Sequence, residues 1–259
     1  IRDADVTGVQ TCALPIYRLI KMKKSNKRII VTGGDGRFAK VLKKTKNNLD
    51  IVYPNKNQLN ILSLQSLNKY IKRYKPKYLI HCAGLSRPMN IHEKNISKSI
   101  DLNIIGTANI VKICEQYKIK LIYFSTAYVY EGTKGNYKED DPILPINNYA
   151  WSKLGGECSV KMYKNSLILR IMMCEKPFLH REAFSDVKTN FIFHEDVAKI
   201  IPKILNKKGI LNVGGITQSV YHFAKKYNKD IKKVSARKKM GKKFPLNISM
   251  NISKLKNVL

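Results

Sequence analysis

Tyr149 and Lys153 have the side-chain types and the spacing that acid–base chemistry requires. They are four positions apart in a segment, 148–153, that is predicted to open a helix, so their side chains share one helix face. A phenol has a pKa of about 10 and exchanges protons poorly at neutral pH unless a neighbouring cation stabilises its anion. The pair therefore predicts a phenol that an ammonium group tunes for proton transfer.

A hydroxyl group that can hold the reacting oxygen is predicted at Thr126. This residue follows the apolar run 120–124, which is predicted to be a strand that ends on Ser125 and Thr126. A lone Y-x-x-x-K spacing arises easily by chance in a lysine-rich chain. Its combination with a strand-end hydroxyl, and with a glycine-rich turn earlier in the chain, favours a functional site.

That turn connects a β-branched run, 28–32, to a helix predicted over 38–46. Its spacing is G-x-x-G-x-x-A, with Ala39 where a third glycine would allow close packing of helix on strand. Glycine lets the backbone approach a ligand closely, and the helix that follows points free N–H groups and the positive end of its dipole at it. The turn predicts a site for a pyrophosphate, with binding residues Gly33, Gly36, Arg37, Phe38 and Ala39.

The segment after the second predicted strand, 50–53, bears on the choice of cofactor. In dinucleotide-binding folds an acid at the end of this strand usually holds the ribose hydroxyls of NAD. Here the sequence continues Pro-Asn-Lys-Asn, without an acid. Arg37 and Lys56 instead supply positive charge for a 2′-phosphate, which favours NADP(H) over NAD(H).

Strands and helices alternate along most of the chain, which predicts an α/β fold of the Rossmann type with a doubly wound parallel sheet. Ligands bind such sheets at the carboxyl ends of the strands, where Ala83 and Gly84 form a small-residue turn. His81, just before them, is interpreted as a core or strand-end histidine. The further predicted elements are helices over 64–74, 97–117 and from 148, and strands over 78–84 and 166–171.

The C-terminal part is less regular. Its predicted elements are a helix over 195–205 that Pro202 kinks or ends early, a strand over 209–213, a helix over 219–227 and a solvated basic run over 225–243. The predicted organisation is a Rossmann domain, 22–172, followed by a small C-terminal substrate-binding portion, 173–259.

Residues 1–21 are predicted to be an adapter-derived or disordered tail. Residues 6–16 look like a translated sequencing-library adapter, so we exclude this segment from the fold and expect the native start near Met22.

Charge and cysteine usage narrow the class of protein. The 259 residues carry 49 Lys and Arg against 18 Asp and Glu, a formal net charge of +31. The lysines are spread along the chain together with abundant Asn and Ile, which points to genomic base composition. We therefore do not expect a nucleic-acid partner, although a basic surface attracts nucleotide phosphates. The cysteines outside the tail form no C-x-x-C pair, which is typical of reduced thiols and predicts a cytoplasmic location.

Two further classes are not expected. No apolar run approaches the roughly 20 residues that span a bilayer, so no membrane association is predicted. The triplet His194-Glu195-Asp196 lacks further ligands at suitable spacing, so no metal site is predicted and the two acids are interpreted as helix-start residues.

As a set, these motifs resemble the extended short-chain dehydrogenase/reductase superfamily and its NAD-dependent epimerase/dehydratase family. The most similar branch is that of the dTDP-4-dehydrorhamnose reductase-like (RmlD-like) enzymes. The segments that carry the resemblance are 32–39, 103–107, 124–130, 137–142, 149–153, 245–247 and 253–255.

The resemblance implies a role for each site residue. Tyr149 would be the acid/base, Lys153 would bind the nicotinamide ribose and tune Tyr149, and Thr126 would orient the keto or hydroxyl group. Asn103 would support its helix and a proton-relay water. The implied activity is hydride transfer to a 4-keto nucleotide sugar in polysaccharide biosynthesis, and the implied partners are the nucleotide sugar and a second copy in a homodimer.

Departures from the family pattern leave alternatives open. Sugar 4,6-dehydratases carry an acidic pair where this chain has Ala127 and Tyr128, so dehydration is disfavoured. The reductase branch often has Asp at the position of Ala127. The segment between Arg170 and Phe191 is shorter than the substrate cap of typical relatives. An epimerase on the same scaffold, or a non-catalytic NADP-binding regulatory subunit, are the alternatives to a reductase.

Overall fold

The computed structural model describes residues 27–242 and 244–259. The predicted adapter-derived segment and the expected start at Met22 lie outside the described residues. Among the described residues, no helix is both long and apolar enough to cross a bilayer.

The secondary structure alternates as the sequence predicts. The strands are β1 (Ile29–Thr32), β2 (Ile51–Val52), β3 (Tyr78–His81), β4 (Lys120–Phe124), β5 (Ser166–Ile171), β6 (Met173–Cys174), β7 (Glu182–Phe184), β8 (Lys188–Thr189), β9 (Ile192–Phe193), β10 (Gly209–Val213), β11 (Gln218–Ser219) and β12 (Lys232–Val234). The α-helices are α1 (Arg37–Lys44), α2 (Leu64–Tyr74), α3 (Ile91–Lys94), α4 (Ile96–Ile100), α5 (Gly106–Gln116), α6 (Asn148–Met162), α7 (His194–Ile204), α8 (Val220–Lys225), α9 (Ala236–Met240) and α10 (Ser253–Lys256).

Six strands form one parallel sheet in the order β10-β5-β4-β3-β1-β2. Every residue of β1, β3, β4 and β5 is buried, as expected for parallel strands that are covered on both faces and rich in Ile and Leu. The predicted α/β fold with a Rossmann-type parallel sheet is confirmed.

Helices cover both faces of this sheet. On one face, Phe38 and Leu42 of α1 pack in the same apolar cluster as Val197 and Ile201 of α7. On the other face, apolar residues of α2, α5 and α6 form a second cluster against the sheet. The sheet is therefore doubly wound, and its strand ends all carry turns or loops that can meet at one edge.

The single helix predicted over 97–117 is interrupted. After α4, a π-helical turn spans Asp101–Ile105 and leads directly into α5. This turn contains the buried Asn103, whose amide bonds to residues outside the helix. Pro202 lies inside α7, which continues to Ile204, so of the two expected effects of this proline, a kink or an early end, the early end is not observed.

The C-terminal part contributes one strand, β10, to the central sheet, where it pairs with β5. Its helix α7 packs on α1. It also forms three two-stranded sheets, β6 with β9, β7 with β12 and β8 with β11. The basic run 225–243 includes β12 and α9 and buries Ile231 and Ala236. The sequence suggested that this run is a solvated surface, but part of it is packed into the protein.

Candidate active site

A cleft of about 700 Å³ opens at the carboxyl ends of the central strands. It brings together most of the predicted site residues: Gly36, Arg37, Phe38, Ala39, Ala83, Gly84, Thr126, Tyr149 and Lys153 all line it. Gly33, Lys56 and Asn103 are not among its lining residues.

The glycine turn brings the start of α1 to the cleft. Gly33 has a φ of +71°, and a Cβ there would lie 2.9 Å from the Ala83 Cα, so a side chain does not fit. Gly36 caps α1 without any side-chain hydrogen bond. The N–H groups of the first helical turn have no intrahelical partner and are available to an anion. The turn fits the pyrophosphate of a dinucleotide.

Thr126 and Tyr149 lie on neighbouring elements of the cleft. Thr126 directly precedes a 3₁₀ turn over Ala127–Val129, and its Oγ1 accepts a hydrogen bond from the Tyr128 amide at 3.2 Å. Tyr149 is in the first turn of α6, whose cap, Asn147, accepts from the Ala150 amide at 2.9 Å. Both side chains are thus held by elements whose ends are capped.

Burial raises the pKa of the Tyr149 phenol to about 12, and the neighbouring Tyr128 adds to this rise. The Thr126 hydroxyl and the positive charges of Arg87 and Arg37 act in the opposite direction. Lys153 is not among the largest influences on this phenol, and the net effect of its surroundings is a raised pKa, so the tuning of Tyr149 by Lys153 stays a prediction. At neutral pH Tyr149 therefore carries its proton.

Burial also lowers the pKa of Lys153 to about 8, which Cys82 and Glu157 partly oppose. The Lys153 Nζ lies 4.3 Å from the centroid of the Tyr123 ring, a cation–π distance. The Tyr123 hydroxyl in turn donates to the Lys153 carbonyl at 2.9 Å. These contacts hold the lysine at the floor of the cleft.

Asn103 lies behind the cleft wall and is 1% exposed. Its Oδ1 accepts from the Leu85 amide at 2.7 Å, and its Nδ2 donates to the Leu85 carbonyl at 2.9 Å and to Ser152 Oγ at 2.8 Å. It connects the loop after β3 to helix α6, and so supports the two elements that carry Gly84 and Tyr149.

Arg37 lines the cleft, whereas Lys56 is not among its lining residues. Arg37 Nη1 donates to Glu175 Oε1 at 2.7 Å and its Nη2 donates to Ser86 Oγ at 3.0 Å, while Lys56 is exposed outside the cleft. The glycine turn and the segment that carries Lys56 lie against each other, since the Gly34 amide donates to the Pro54 carbonyl at 2.9 Å, and the joint binding of a 2′-phosphate by Arg37 and Lys56 stays a prediction.

The charged or titratable residues that line the cleft and that the sequence did not indicate as site residues include Arg87, Glu175 and His194. Arg87 follows the predicted β3 turn closely, so its position after a strand end was a usable signal. Glu175 also follows a predicted strand, 166–171, but the intervening short strand β6 was not predicted, and nothing in the sequence indicated its pairing with the two arginines.

Behind Thr126, a buried ion pair supports the end of β4. Arg170 Nη2 donates to Glu157 Oε1 at 2.6 Å, and both side chains are less than 5% exposed. The other carboxylate oxygen of Glu157 accepts from Ser125 Oγ at 2.5 Å. The strand end that presents Thr126 is thereby tied to α6 and β5.

His81 is a core histidine, as predicted. It is 1% exposed, with Nδ1 2.8 Å from Thr32 Oγ1 and Nε2 3.1 Å from Thr107 Oγ1. Glu195 and Asp196 are in the first turn of α7, the helix-start positions that the sequence indicated. Within residues 27–242 and 244–259, no group of three His, Cys, Asp or Glu side chains is placed to hold a metal ion.

Residues 27–174 match the sequence profile of the RmlD substrate binding domain. This match takes in more than half of the 259-residue chain. The chain belongs to the RmlD family.

Individual relatives fall into two groups by name. The beta subunit of methionine adenosyltransferase 2 from Pongo abelii is 31% identical over 144 residues, 52% of this chain and 43% of that protein. A dTDP-4-keto-6-deoxy-D-glucose reductase from Streptomyces niveus is 29% identical over 136 residues, 51% of this chain and 47% of that protein. This RmlD-family chain thus spans less than half the length of these two relatives.

A solved structure covers more of the chain. The crystal structure of a dTDP-4-dehydrorhamnose reductase from Bacillus anthracis, in complex with NADP, has a TM-score of 0.79 at 24% identity. The likeness covers 89% of this chain and 92% of that one. It shows that this RmlD-family chain shares the fold of that structure over most of its length, the C-terminal part included.

A second cavity of about 440 Å³, here called the aromatic pocket, adjoins the cleft. Its walls are mostly apolar, and it shares Tyr128, Met172 and Phe178 with the cleft. The buried Oγ1 of Thr189 lies in its lining and has no hydrogen-bond partner among the described residues. In this RmlD-family chain the short segment 171–191 therefore still borders a cavity next to Tyr149.

Proposed function

We propose that this RmlD-family chain is an NAD(P)-dependent oxidoreductase that reduces a 4-keto, dTDP-4-dehydrorhamnose-like nucleotide sugar, with Tyr149 as proton donor. The observation that carries the proposal is the convergence of Thr126, Tyr149 and Lys153 in the same cleft as the start of α1, where the cap residue Gly36 has no side chain to bond the free N–H groups. Each of these features alone has a structural explanation, but together they provide the parts of a hydride-transfer site.

When bound, the nicotinamide cofactor supplies the hydride. The N–H groups at the start of α1 and the Arg37 guanidinium would hold its diphosphate, the backbone at Ala83 and Gly84 would border it, and Lys153 would bind the nicotinamide ribose. The acid-free segment after β2 favours NADP(H) over NAD(H) in this proposal.

The chain's own residues handle the proton. Tyr149 is protonated at neutral pH because burial raises its pKa to about 12, so it can donate to the oxygen of a carbonyl that gains a hydride. Thr126 would donate a hydrogen bond to the same oxygen and orient it. Thr126 is buried and Tyr149 is partly buried, and the lower local dielectric strengthens these interactions.

The names of relatives support the substrate class. The Streptomyces niveus relative is named as a reductase of a dTDP-4-keto-6-deoxy sugar, and the Bacillus anthracis neighbour was crystallised with NADP. An epimerase that uses the same residues is the alternative within this class, and it would show no net consumption of cofactor.

A second candidate function is that of a cofactor-binding partner subunit without turnover. The similarity to proteins named as a beta subunit of methionine adenosyltransferase 2 favours it. Such a subunit would bind NADP(H) in the same cleft and would form a complex with a methionine adenosyltransferase chain.

The test is consumption of NADPH and of NADH by the full chain with a panel of 4-keto nucleotide sugars. We expect consumption that is lost in Tyr149→Phe and retained in Tyr227→Phe, a control at an exposed tyrosine. Cofactor binding without consumption would refute the reductase. Product analysis would then identify an epimerase, and co-purification with a methionine adenosyltransferase chain would identify a subunit.

A further inference from the structure

Two arginines of the cleft share a single carboxylate. Glu175 Oε1 accepts from Arg37 Nη1 at 2.7 Å, and Glu175 Oε2 accepts from Arg87 Nη1 at 3.1 Å. The side chain of Glu175 is 18% exposed, whereas those of the arginines are 45% and 40% exposed. The carboxylate is therefore the inner member of this bridge, and the two cations are its accessible members.

The topology places this bridge across the cleft. Arg37 follows β1, Arg87 follows β3, and Glu175 follows β5 and β6. Strand β4 lies between β3 and β5 in the sheet, and Thr126 follows β4. The bridge thus joins strand ends on both sides of the one that presents Thr126. An extended ligand that reaches from the glycine turn to Tyr149 must lie beside it.

The chemistry of the bridge matches that of a bound anion. Two guanidinium groups pair with a single internal carboxylate, and one of them belongs to Arg37, the first residue of α1, whose first turn lines the same cleft. Guanidinium groups bind phosphate oxygens as they bind carboxylates, in the same fork geometry. A diphosphate carries more negative charge than one carboxylate and can engage both arginines and the helix start at once.

We propose that Arg37 and Arg87 form a diphosphate-binding pair, which Glu175 occupies in the ligand-free protein and releases when a diphosphate binds. The diphosphate is that of the dinucleotide cofactor or that of the nucleotide sugar; in naming these two sources the inference rests on the proposed function. Glu175 then acts as an internal competitor that keeps the two arginines placed and paired until ligand arrives.

The test is the dissociation constant, measured by calorimetry on the full chain, for NADPH, for dTDP and for inorganic pyrophosphate. Glu175→Gln removes the competing charge and retains the side-chain shape, so we expect it to tighten binding about three- to tenfold. Arg37→Gln and Arg87→Gln are expected to weaken binding and to reduce its dependence on salt. The control is Glu115→Gln, which removes an exposed carboxylate of α5 that pairs with Lys118. It should leave all three dissociation constants unchanged.

The three ligands identify the source of the diphosphate. A change confined to NADPH assigns the pair to the cofactor, a change confined to dTDP assigns it to the nucleotide sugar, and either result supports the proposal. Unchanged or weaker binding of every ligand by Glu175→Gln would overturn it, because the carboxylate would then position the arginines rather than compete. Failure of the wild-type chain to bind any of the three ligands would overturn it as well.

These outcomes are separable from those of the proposed function. Turnover of a 4-keto sugar with unchanged affinities in Glu175→Gln would refute this inference and leave the reductase in place. Tighter pyrophosphate binding by Glu175→Gln without turnover of any sugar would do the reverse.

Discussion

Two lysines at opposite edges of the central sheet share nearly the same burial and the same shift in pKa. Lys120 is 6% exposed and Lys153 is 9% exposed, and burial lowers the pKa of each to about 8. Lys120 is the first residue of β4 and lies at the amino ends of the parallel strands, here called the amino edge of the sheet. Lys153 lines the cleft at the carboxyl edge.

The neighbours of the two ammonium groups differ. Lys120 is near Lys208, and its Nζ has no hydrogen-bond partner among the described residues. Lys153 is near Cys82 and Glu157 and shares its cleft with Tyr149 and Thr126. A perturbed pKa therefore reports burial, and a functional assignment also needs reactive partners and access to a ligand.

The largest expected effect tests the carboxyl edge directly. Tyr149→Phe removes the proposed proton donor, so turnover should fall about 10²–10⁴-fold while cofactor affinity is retained. Steady-state kinetics with a 4-keto nucleotide sugar measure it, and Tyr227→Phe is the control. Undiminished turnover would remove the functional distinction between the two edges.

Glu157, the buried carboxylate near Lys153, provides the second test. Glu157→Gln leaves the buried Arg170 without its counter-ion, so we expect a loss of about 3–5 kcal/mol in the free energy of unfolding, measured by urea denaturation. The exposed Glu115→Gln should change this free energy by less than about 0.5 kcal/mol. Equal effects of the two variants would show that the buried pair contributes no more than a surface pair.

The two lysines themselves provide the third test. The unfolded chain holds the proton on each lysine up to a pH of about 10.5 and the folded chain only up to about 8, so between these values the unfolded state binds more protons and wild-type stability rises with pH. Lys120→Met and Lys153→Met each lose the contribution of one lysine to this rise and keep that of the other. At pH 7 each should be more stable than the wild type by up to about 3 kcal/mol, a difference that shrinks from pH 8 to 10.5.

Only one of these two variants should affect turnover. Lys153→Met should abolish it and Lys120→Met should leave it unchanged, although both gain stability. Chemical denaturation across the pH range together with kinetics at pH 7 measures both properties. A loss of activity in Lys120→Met would contradict the distinction drawn between the two edges.

The smallest expected effect concerns the aromatic pocket. Thr189→Val replaces a buried hydroxyl without a partner by a methyl group of similar size, so the unfolding free energy should rise by about 1 kcal/mol. Thr107→Val is the matched control, because the Thr107 hydroxyl donates to the Asn103 carbonyl at 2.8 Å, and it should lower stability instead. A loss of stability in both variants would indicate that the Thr189 hydroxyl is bonded in solution, for example to water.

Much of the central sheet could be predicted because its signals are local. Each long strand is a continuous apolar run, and the spacing of Tyr149 and Lys153 places them on one face of α6 without reference to the rest of the chain. The strands of the C-terminal part are two or three residues long, apart from β10. Strand β7 finds its partner, β12, about 50 positions later, and so short a segment carries no periodicity to reveal it.

The sequence by itself determined the fold class, the family and the presence of Gly36, Thr126, Tyr149 and Lys153 in one cleft. The tertiary structure alone decided that Arg37 pairs with Glu175. It also decided that the pKa of the Tyr149 phenol is raised, to about 12, rather than lowered. The physical reason is that helix spacing and strand order depend on neighbours in the chain. Burial and ion pairing depend on every group that surrounds a side chain, and those groups come from positions far apart in the sequence.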